Sequence, residues 1–320
     1  MIQNGFEYVS RSEFWNYYLK SEDAKYLLQY DVPQELRKKI ISEYLTVVNI
    51  ETSSYCNRKC SYCPVSIHGS RPLRMMDDSL FERLIGEMEE IGFKGQFTFS
   101  LFNEPLTDEK LLDRVKYTKS KCPNSYVRMN SNGDYLTREL LDKLVDAGVD
   151  EMLLTMHMAP NEVYTDELAK SKLEAFFKKV DVPMEVTAST PNHNITCDLI
   201  YRTMRFLVVT NNWAEDGCDR GGEMENLSLD KRLDPCPTSY RELIVDVDGD
   251  LRPCWNAYIT APAVLNVKDT TLVDAYFSKE LVDFRRDHLL WNEKSGICEG
   301  CNTPDNSDRA TEEIRKTLLK

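Results

Sequence analysis

Over residues 47–63 the chain reads VVNIETSSYCNRKCSYC, an apolar run followed by three closely spaced cysteines. The run Val47–Thr52 predicts a buried strand, and the loop after it carries Cys56, Cys60 and Cys63 in a CxxxCxxC spacing. Three thiolates on one loop can each bind one iron of a cubane cluster, which leaves the fourth iron open to a small molecule. A zinc site with a distant fourth ligand and three reduced structural thiols are the alternatives.

The 320 residues include ten cysteines and carry a net charge of −13, from 40 basic and 53 acidic side chains. This charge repels a phosphate backbone, so nucleic acid is not an expected partner. Residues 1–30 lack the pattern of a signal peptide, and no run of roughly 18 apolar residues is present to span a membrane. We therefore expect a cytoplasmic protein with reduced thiols, in which closely spaced cysteines bind metal or do chemistry.

After residue 46, short apolar or β-branched runs alternate with amphipathic stretches, a pattern typical of a parallel α/β sheet or barrel. This alternation predicts an α/β fold with a partial (β/α)6 barrel over residues 47–226, whose active site lies at the carboxyl ends of the strands. The predicted strands are Val47–Thr52, Gln96–Leu101, Tyr126–Asn130, Glu151–Met156, Met184–Ser189 and Arg205–Thr210. The predicted helices are Asp77–Ile91, Asp108–Lys121, Thr137–Ala147, Glu162–Val180 and a short fifth helix at Thr196–Thr203.

Different patterns flank this region. Residues 1–46 predict a helical N-terminal extension, in which Pro33 opens a helix at Gln34–Tyr44. Residues 227–320 predict a small C-terminal domain built from a β-hairpin and helices. Its predicted parts are the strands Glu242–Val247 and Asp250–Cys254 around an Asp248-Gly249 turn, a helix at Thr271–Leu290, a loop at Cys298–Cys301 and a terminal helix at Ser307–Leu319.

The C-terminal domain contains a second cysteine set. Cys236 and Cys254 bracket the predicted hairpin, and Cys298 and Cys301 form a CxxC pair further along the chain. Four thiolates saturate either a [4Fe–4S] cluster or a tetrahedral zinc ion, so spacing alone leaves both open.

The first cysteine loop, with Tyr62 before its last cysteine, resembles the signature of the radical S-adenosylmethionine (SAM) enzymes. Three family motifs have counterparts after successive strands. Glu104-Pro105 resembles the end of Gly-Gly-Glu-Pro without its glycines, Ser131-Asn132-Gly133 resembles Thr-Asn-Gly, and Thr155-Met156-His157 stands where the family has Ser-Leu-Asp. The C-terminal domain resembles the Twitch module, a shortened SPASM domain with one auxiliary [4Fe–4S] cluster. The resemblance covers residues 47–305 and is greatest to a subgroup that oxidises a secondary alcohol.

The resemblance implies two [4Fe–4S] clusters, one on Cys56, Cys60 and Cys63 and one on the C-terminal set. It implies that SAM chelates the open iron and is cleaved to a 5′-deoxyadenosyl radical, with reduced flavodoxin or ferredoxin as electron donor. The residues expected to contact SAM are Tyr62, Glu104, Ser131 and Thr155. For the three polar residues among them, a strand-end cap is the alternative.

Three further residues are candidates for direct action on a substrate. Cys218 and Arg220 lie in the loop after the sixth predicted strand, where a thiol could donate a hydrogen atom and a guanidinium could hold a hydroxyl or carboxylate. His157 follows the fourth strand; a satisfied structural histidine is its alternative. Cys122 and Cys197 are expected to be structural.

Removing two hydrogens from an alcohol requires an acceptor for the second electron, and the auxiliary cluster fits that need. The predicted function is therefore dehydrogenation of a small polar substrate such as an amino sugar or cyclitol. The alternatives are an epimerase that uses Cys218 as hydrogen donor, a peptide-modifying maturase and, outside enzymes, a zinc-binding scaffold.

Overall fold

A computed structural model describes residues 21–159, 161–224, 236–258, 260–290, 296–299 and 301–302. Its described strands form one mixed sheet. They are β1 (Val47–Ile50), β2 (Gln96–Thr98), β3 (Tyr126–Ser131), β4 (Glu151–Thr155), β5 (Ala188–Thr190), β6 (Asn194–Tyr201), β7 (Met204–Asn211), β8 (Glu242–Val245), β9 (Asp250–Arg252) and β10 (Leu265–Asn266).

The strand order is β10-β9-β8-β1-β2-β3-β4-β7-β6-β5. The six central strands, from β8 to β7, pair in parallel, whereas both edges are antiparallel. The register of β1 is set on both sides, because Val47 pairs with Gln96 on β2 and with Glu242 on β8. Parallel pairing brings the carboxyl ends of six strands to the same end of the sheet.

Helices connect the parallel strands and cover the sheet with their apolar faces. Asp77 caps one of them by accepting hydrogen bonds from the backbone N–H groups of Ser79 and Leu80, and Gly148 ends another with φ 103°. The α-helices are α1 (Gln34–Tyr44), α2 (Val65–His68), α3 (Asp78–Glu90), α4 (Leu111–Lys121), α5 (Arg138–Ala147), α6 (Asp166–Val180), α7 (Trp213–Asp216), α8 (Thr238–Arg241), α9 (Leu272–Tyr276) and α10 (Lys279–Leu290). Short 3₁₀ helices occupy Glu22–Leu28, Pro105–Thr107 and Gly296–Cys298.

The predicted α/β class with a parallel sheet core is confirmed, but two of its predicted elements are wrong. The predicted helix Thr196–Thr203 is strand β6, which forms an antiparallel hairpin with β7. Most of the predicted strand Met184–Ser189 precedes β5 and has no regular structure. The hairpin turn is Arg202-Thr203, with Arg202 at φ 55°, and it lacks the Asn or Gly that normally marks such a turn. The sixth parallel strand is β8, from the C-terminal part of the chain.

The flanking regions follow their predictions in part. The hairpin of β8 and β9 and helix α1 are confirmed, whereas the single helix predicted over Thr271–Leu290 is wrong. It is divided into α9 and α10, because the Ser278 side chain accepts from the Leu281 N–H and starts a new helix. Residues 1–20 of the predicted extension and the predicted helix Ser307–Leu319 lie outside the described residues. The predicted domain boundaries stay predictions.

The N-terminal segment is attached to α10 by two arginines, of which Arg285 is fully buried. Arg285, which is 0% exposed, donates to the carbonyls of Leu27, Ser239 and Tyr276. Arg286 donates to the carbonyl of Leu28. In the part of the chain that the structure describes, no helix is both long and apolar enough to cross a membrane.

Candidate active site

The three cysteines of the first motif lie in the loop after β1 and line a cavity of about 560 Å³ at the carboxyl ends of the parallel strands. The loop makes a tight turn, since the Cys63 N–H donates to the Cys60 carbonyl over 2.9 Å. Each cysteine is half-buried and free of a disulfide. The same cavity is lined by every side chain predicted to contact SAM and by two of the three predicted catalytic residues, namely Tyr62, Glu104, Ser131, Thr155, His157 and Arg220.

A buried ion pair that the sequence did not reveal attaches this loop to the sheet. Glu51 follows β1, is 0% exposed, and pairs with Arg71, which is 8% exposed. Its carboxylate also accepts from the Phe102 N–H at 3.1 Å. Nearby, the Ser70 hydroxyl donates to the Cys56 carbonyl. A buried pair of this kind mainly fixes position, because desolvation offsets much of its Coulomb energy.

Glu104 joins the ends of β2 and β3. Its carboxylate accepts from the Ser131 hydroxyl at 2.7 Å, the Asn132 N–H at 2.8 Å and the Leu106 N–H at 3.1 Å. Burial raises the pKa of Glu104, and these hydrogen bonds oppose the increase. The Glu-Pro motif therefore places a well-bonded carboxyl group on the cavity wall.

Replacing Glu104 with Ala is expected to lower the free energy of unfolding by about 1–3 kcal/mol, because buried donors lose their acceptor. Ser131→Ala is the matched control: it removes one donor and leaves the carboxylate with two, so its effect should be smaller. Chemical denaturation followed by circular dichroism measures both. An unfolding free energy of Glu104→Ala equal to that of the unsubstituted chain would show that these bonds contribute nothing.

Tyr62, His157 and Trp213 form an aromatic cluster beside the cysteine loop. The Tyr62 ring stacks on Trp213 with centroids 4.4 Å apart, and the Tyr62 hydroxyl is hydrogen-bonded to the His157 imidazole. Burial, aided by the charge of Arg58, lowers the pKa of His157 to about 3, so this imidazole is neutral at physiological pH. His157 is therefore a neutral hydrogen-bond partner for the Tyr62 hydroxyl. Trp213 was not identified from the sequence.

Arg220 lies on the cavity wall, where its guanidinium is 5.6 Å from the centroid of the Trp255 ring. Its Nη1 donates to Asn256 Oδ1 at 3.3 Å. Cys218 Sγ points to the same amide oxygen at 4.0 Å. Cys218 is therefore close to Arg220, but unlike Arg220 it is not among the described residues that line the cavity.

The turn that carries Arg220 is held against the second cysteine set. Arg220, Gly221 and Gly222 have φ values of 51°, 71° and 91°, and glycine favours such left-handed conformations. The Asp219 N–H donates to Asn302 Oδ1 at 2.8 Å, directly after Cys301. The position of Arg220 in the cavity therefore depends on the C-terminal loops.

Cys236, Cys254, Cys298 and Cys301 line a second cavity. Burial raises the pKa of Cys254, and the charges of the other three thiols add to the effect, so the four groups lie within electrostatic range of each other. Cys254 and Asn256 line this cavity, whereas Trp255 between them lines the first. Within the described ranges, no three His, Cys, Asp or Glu side chains are placed to share a single metal ion, as a zinc site would require.

Cys122 and Cys197, predicted to be structural, are 3% and 0% exposed. Burial raises the pKa of each thiol to about 11. Both therefore remain protonated small apolar groups at neutral pH.

Two protein-family models match the chain. Residues 50–182 match the radical SAM superfamily, and residues 236–302 match the iron–sulfur cluster-binding SPASM domain. The two matches contain the first and second cysteine sets respectively.

Individual relatives agree with these matches. The S-adenosyl-L-methionine-dependent 2-deoxy-scyllo-inosamine dehydrogenase of Niallia circulans is 24% identical over 264 residues, which cover 82% of this chain and 94% of that protein. The tungsten-containing aldehyde ferredoxin oxidoreductase cofactor-modifying protein of Pyrococcus furiosus is 27% identical over 111 residues, covering 35% of this chain and 30% of that protein. The crystal structure of BtrN in complex with AdoMet and 2-DOIA matches with a TM-score of 0.62 and 21% identity, covering 82% of this chain and 95% of that one.

Proposed function

We propose that this radical SAM enzyme, which also contains a SPASM domain, dehydrogenates a small polar substrate and passes one electron to an auxiliary cluster. The observation that carries the proposal is the position of Trp255. This residue lines the first cavity, whereas its neighbours Cys254 and Asn256 line the second. The two candidate cluster sites thus share a wall. A substrate held in the first cavity would lie next to an electron acceptor in the second.

The residues of the first cavity fit an iron–sulfur cluster together with a polar ligand. Cys56, Cys60 and Cys63 supply sulfur donors on its wall. Trp213 Nε1, on the same wall, is buried and has no hydrogen-bond partner among the described residues. When bound there, a reduced cluster and SAM supply a 5′-deoxyadenosyl radical that removes a hydrogen atom from a substrate. Glu104 is the proposed acceptor for the SAM amino group, and Ser131 and Thr155 are further proposed SAM contacts.

The second cavity fits a [4Fe–4S] cluster in which a cysteine binds every iron, because four thiols line it. Such a cluster has no open iron for a small molecule. Oxidising a secondary alcohol to a ketone removes two electrons and two protons. One of each leaves as the abstracted hydrogen atom, and the second proton leaves the hydroxyl group for water. The second electron needs an acceptor, and the adjoining auxiliary site is the nearest candidate. A reduced flavodoxin or ferredoxin is the proposed electron donor to the first cluster.

Arg220 is the proposed residue for holding the oxygen that is oxidised. Among the described residues, no carboxylate pairs with its guanidinium, which Trp255 and Asn256 keep in place. A fixed guanidinium donates hydrogen bonds to an oxygen and stabilises negative charge that develops on it. This position would orient the reacting carbon between the two candidate cluster sites.

The reaction type is tested with a cyclitol deuterated at its ring carbons, incubated with the reconstituted enzyme, SAM and a reductant. Dehydrogenation predicts deuterium in 5′-deoxyadenosine, one SAM consumed per turnover, and a product that has lost one deuterium and one hydrogen relative to the substrate. Mass spectrometry measures all three. A product in which solvent hydrogen replaces one deuterium at the inverted carbon, with no further loss of hydrogen, would establish epimerisation instead.

Cys218→Ala is expected to leave product formation nearly unchanged, because the thiol points to Asn256 and is not among the described lining residues. An epimerase that uses this thiol as hydrogen donor would stop after hydrogen abstraction. In that case 5′-deoxyadenosine would form without product, which contradicts the proposed dehydrogenation.

A further inference from the structure

We infer that the lower part of the first cavity binds a neutral, polyhydroxylated ring and discriminates against a protonated amine. The inference rests on the proposed function and specifies its substrate class. It is drawn from side chains that no sequence motif identified, on the strands below the cysteine loop.

Strand register places three of these side chains in one layer of the sheet. Asn49 on β1 pairs with Thr98 on β2, and Thr98 pairs with Arg128 on β3. Gln96 lies two residues before Thr98 and therefore faces the same side of β2, and Ser100 follows two residues after the strand ends. All five residues line the cavity. Because each lies earlier in the chain than the residue predicted to contact SAM after the same strand, together they form the cavity floor.

Two polar atoms on this floor, Asn49 Oδ1 and Ser100 Oγ, are buried and have no hydrogen-bond partner among the residues that the structure describes. The residue Ser100 is 6% exposed. A buried polar atom left unpaired is costly, so native sites normally supply a partner from a ligand or water. Asn49 Oδ1 requires a donor, whereas Ser100 Oγ can donate or accept. Ligand hydroxyl groups satisfy both.

The charges around the floor oppose a cationic substrate. The two carboxyl groups that line the cavity are already engaged, Glu104 by Ser131, Asn132 and, in the proposed complex, the SAM amino group, and Glu242 by the Arg241 guanidinium at 3.7 Å. Of the three lining arginines, Arg58 pairs with Asp134 and Arg128 pairs with Glu151, which leaves Arg220 unmatched by a carboxylate among the described residues. A substrate ammonium would therefore be desolvated without a free carboxylate, and beside a guanidinium.

This substrate class differs from that of the Niallia circulans relative, whose name gives an inosamine as its substrate. The identity of 24% leaves room for such a difference, because substrate choice depends on a few cavity side chains. The difference concerns one ring substituent, so it can be tested with a matched pair of ligands.

The probes are scyllo-inositol and scyllo-inosamine, which differ by the replacement of one hydroxyl with an amino group. Isothermal titration calorimetry at pH 7, with both clusters reconstituted, SAM present and no reductant, measures binding without turnover. We expect scyllo-inositol to bind at least about tenfold more tightly, since a buried unpaired charge is strongly disfavoured. Equal or tighter binding of the amine, or no binding of either cyclitol, overturns the inference.

Two variants test whether the floor residues cause the preference for scyllo-inositol. Ser100→Ala should weaken scyllo-inositol binding, and Asn49→Asp should shift the preference towards the amine by placing a carboxylate where the amide oxygen lies. If Asn49→Asp does not fold, Ser100→Ala and the unsubstituted enzyme still decide the question. Reductive SAM cleavage is measured in parallel: its persistence after a failed binding test refutes the substrate class alone, whereas its loss refutes the proposed function.

Discussion

Replacing Cys56, Cys60 and Cys63 together with alanine is expected to reduce 5′-deoxyadenosine formation to background. The three thiols line one cavity with Glu104, and they are the proposed ligands of the cluster whose open iron binds SAM. Without them no cluster can deliver an electron to SAM. Chromatographic detection of 5′-deoxyadenosine after anaerobic incubation with SAM and dithionite measures the loss.

A double variant, Cys122→Ala with Cys197→Ala, is the matched control for this loss. It removes two buried thiols that line neither cysteine cavity, so SAM cleavage should persist. The triple variant should still contain about half of the iron of the unsubstituted enzyme, held by the C-terminal set. Retained SAM cleavage by the triple variant would refute the assignment of this loop.

Replacing Cys236, Cys254, Cys298 and Cys301 with alanine is expected to remove about four iron atoms per chain and to stop net substrate oxidation. SAM cleavage should continue, because the first cysteine loop is unchanged. The expected signature is therefore 5′-deoxyadenosine without oxidised product. Iron and sulfide analysis and quantitative mass spectrometry of both products measure it.

The intact enzyme provides the check on this second prediction. Stoichiometric zinc in the unsubstituted protein, with iron only at the first site, would contradict an auxiliary cluster. An unchanged ratio of product to 5′-deoxyadenosine in the fourfold variant would contradict its role as electron acceptor. Circular dichroism of the variant, compared with the unsubstituted enzyme, shows whether the loops around Cys254 still fold.

Local patterns in the sequence were sufficient for the elements that position the site. Strands β1 to β4 and helices α3 to α6 were predicted, because period-two and helical spacing are local signals. The hairpin of β6 and β7 was missed, since its Arg202-Thr203 turn has no glycine or asparagine. The pairing of β8 with β1 joins residues almost 200 positions apart in the chain, for example Val47 with Glu242, and no local pattern encodes it.

The site was predictable where its residues follow strand ends. Glu104 and Thr155 were identified because they resemble family motifs that follow strands, and they line one cavity because the carboxyl ends of parallel strands converge. The Glu51–Arg71 pair was missed because it depends on the path of a loop. Floor residues such as Asn49 and Thr98 were missed because which face of a strand points into the cavity depends on register.

Electron paramagnetic resonance of the dithionite-reduced enzyme, recorded before and after SAM is added, distinguishes the two proposed clusters. We expect two reduced cluster signals, of which SAM changes one, because only the proposed cluster on Cys56, Cys60 and Cys63 has an open iron. The signal that responds should be missing from the triple alanine variant. Two signals that are both unchanged by SAM would contradict the assignment of a SAM-binding cluster to this loop. A SAM-dependent change that persists in the triple alanine variant would also contradict it.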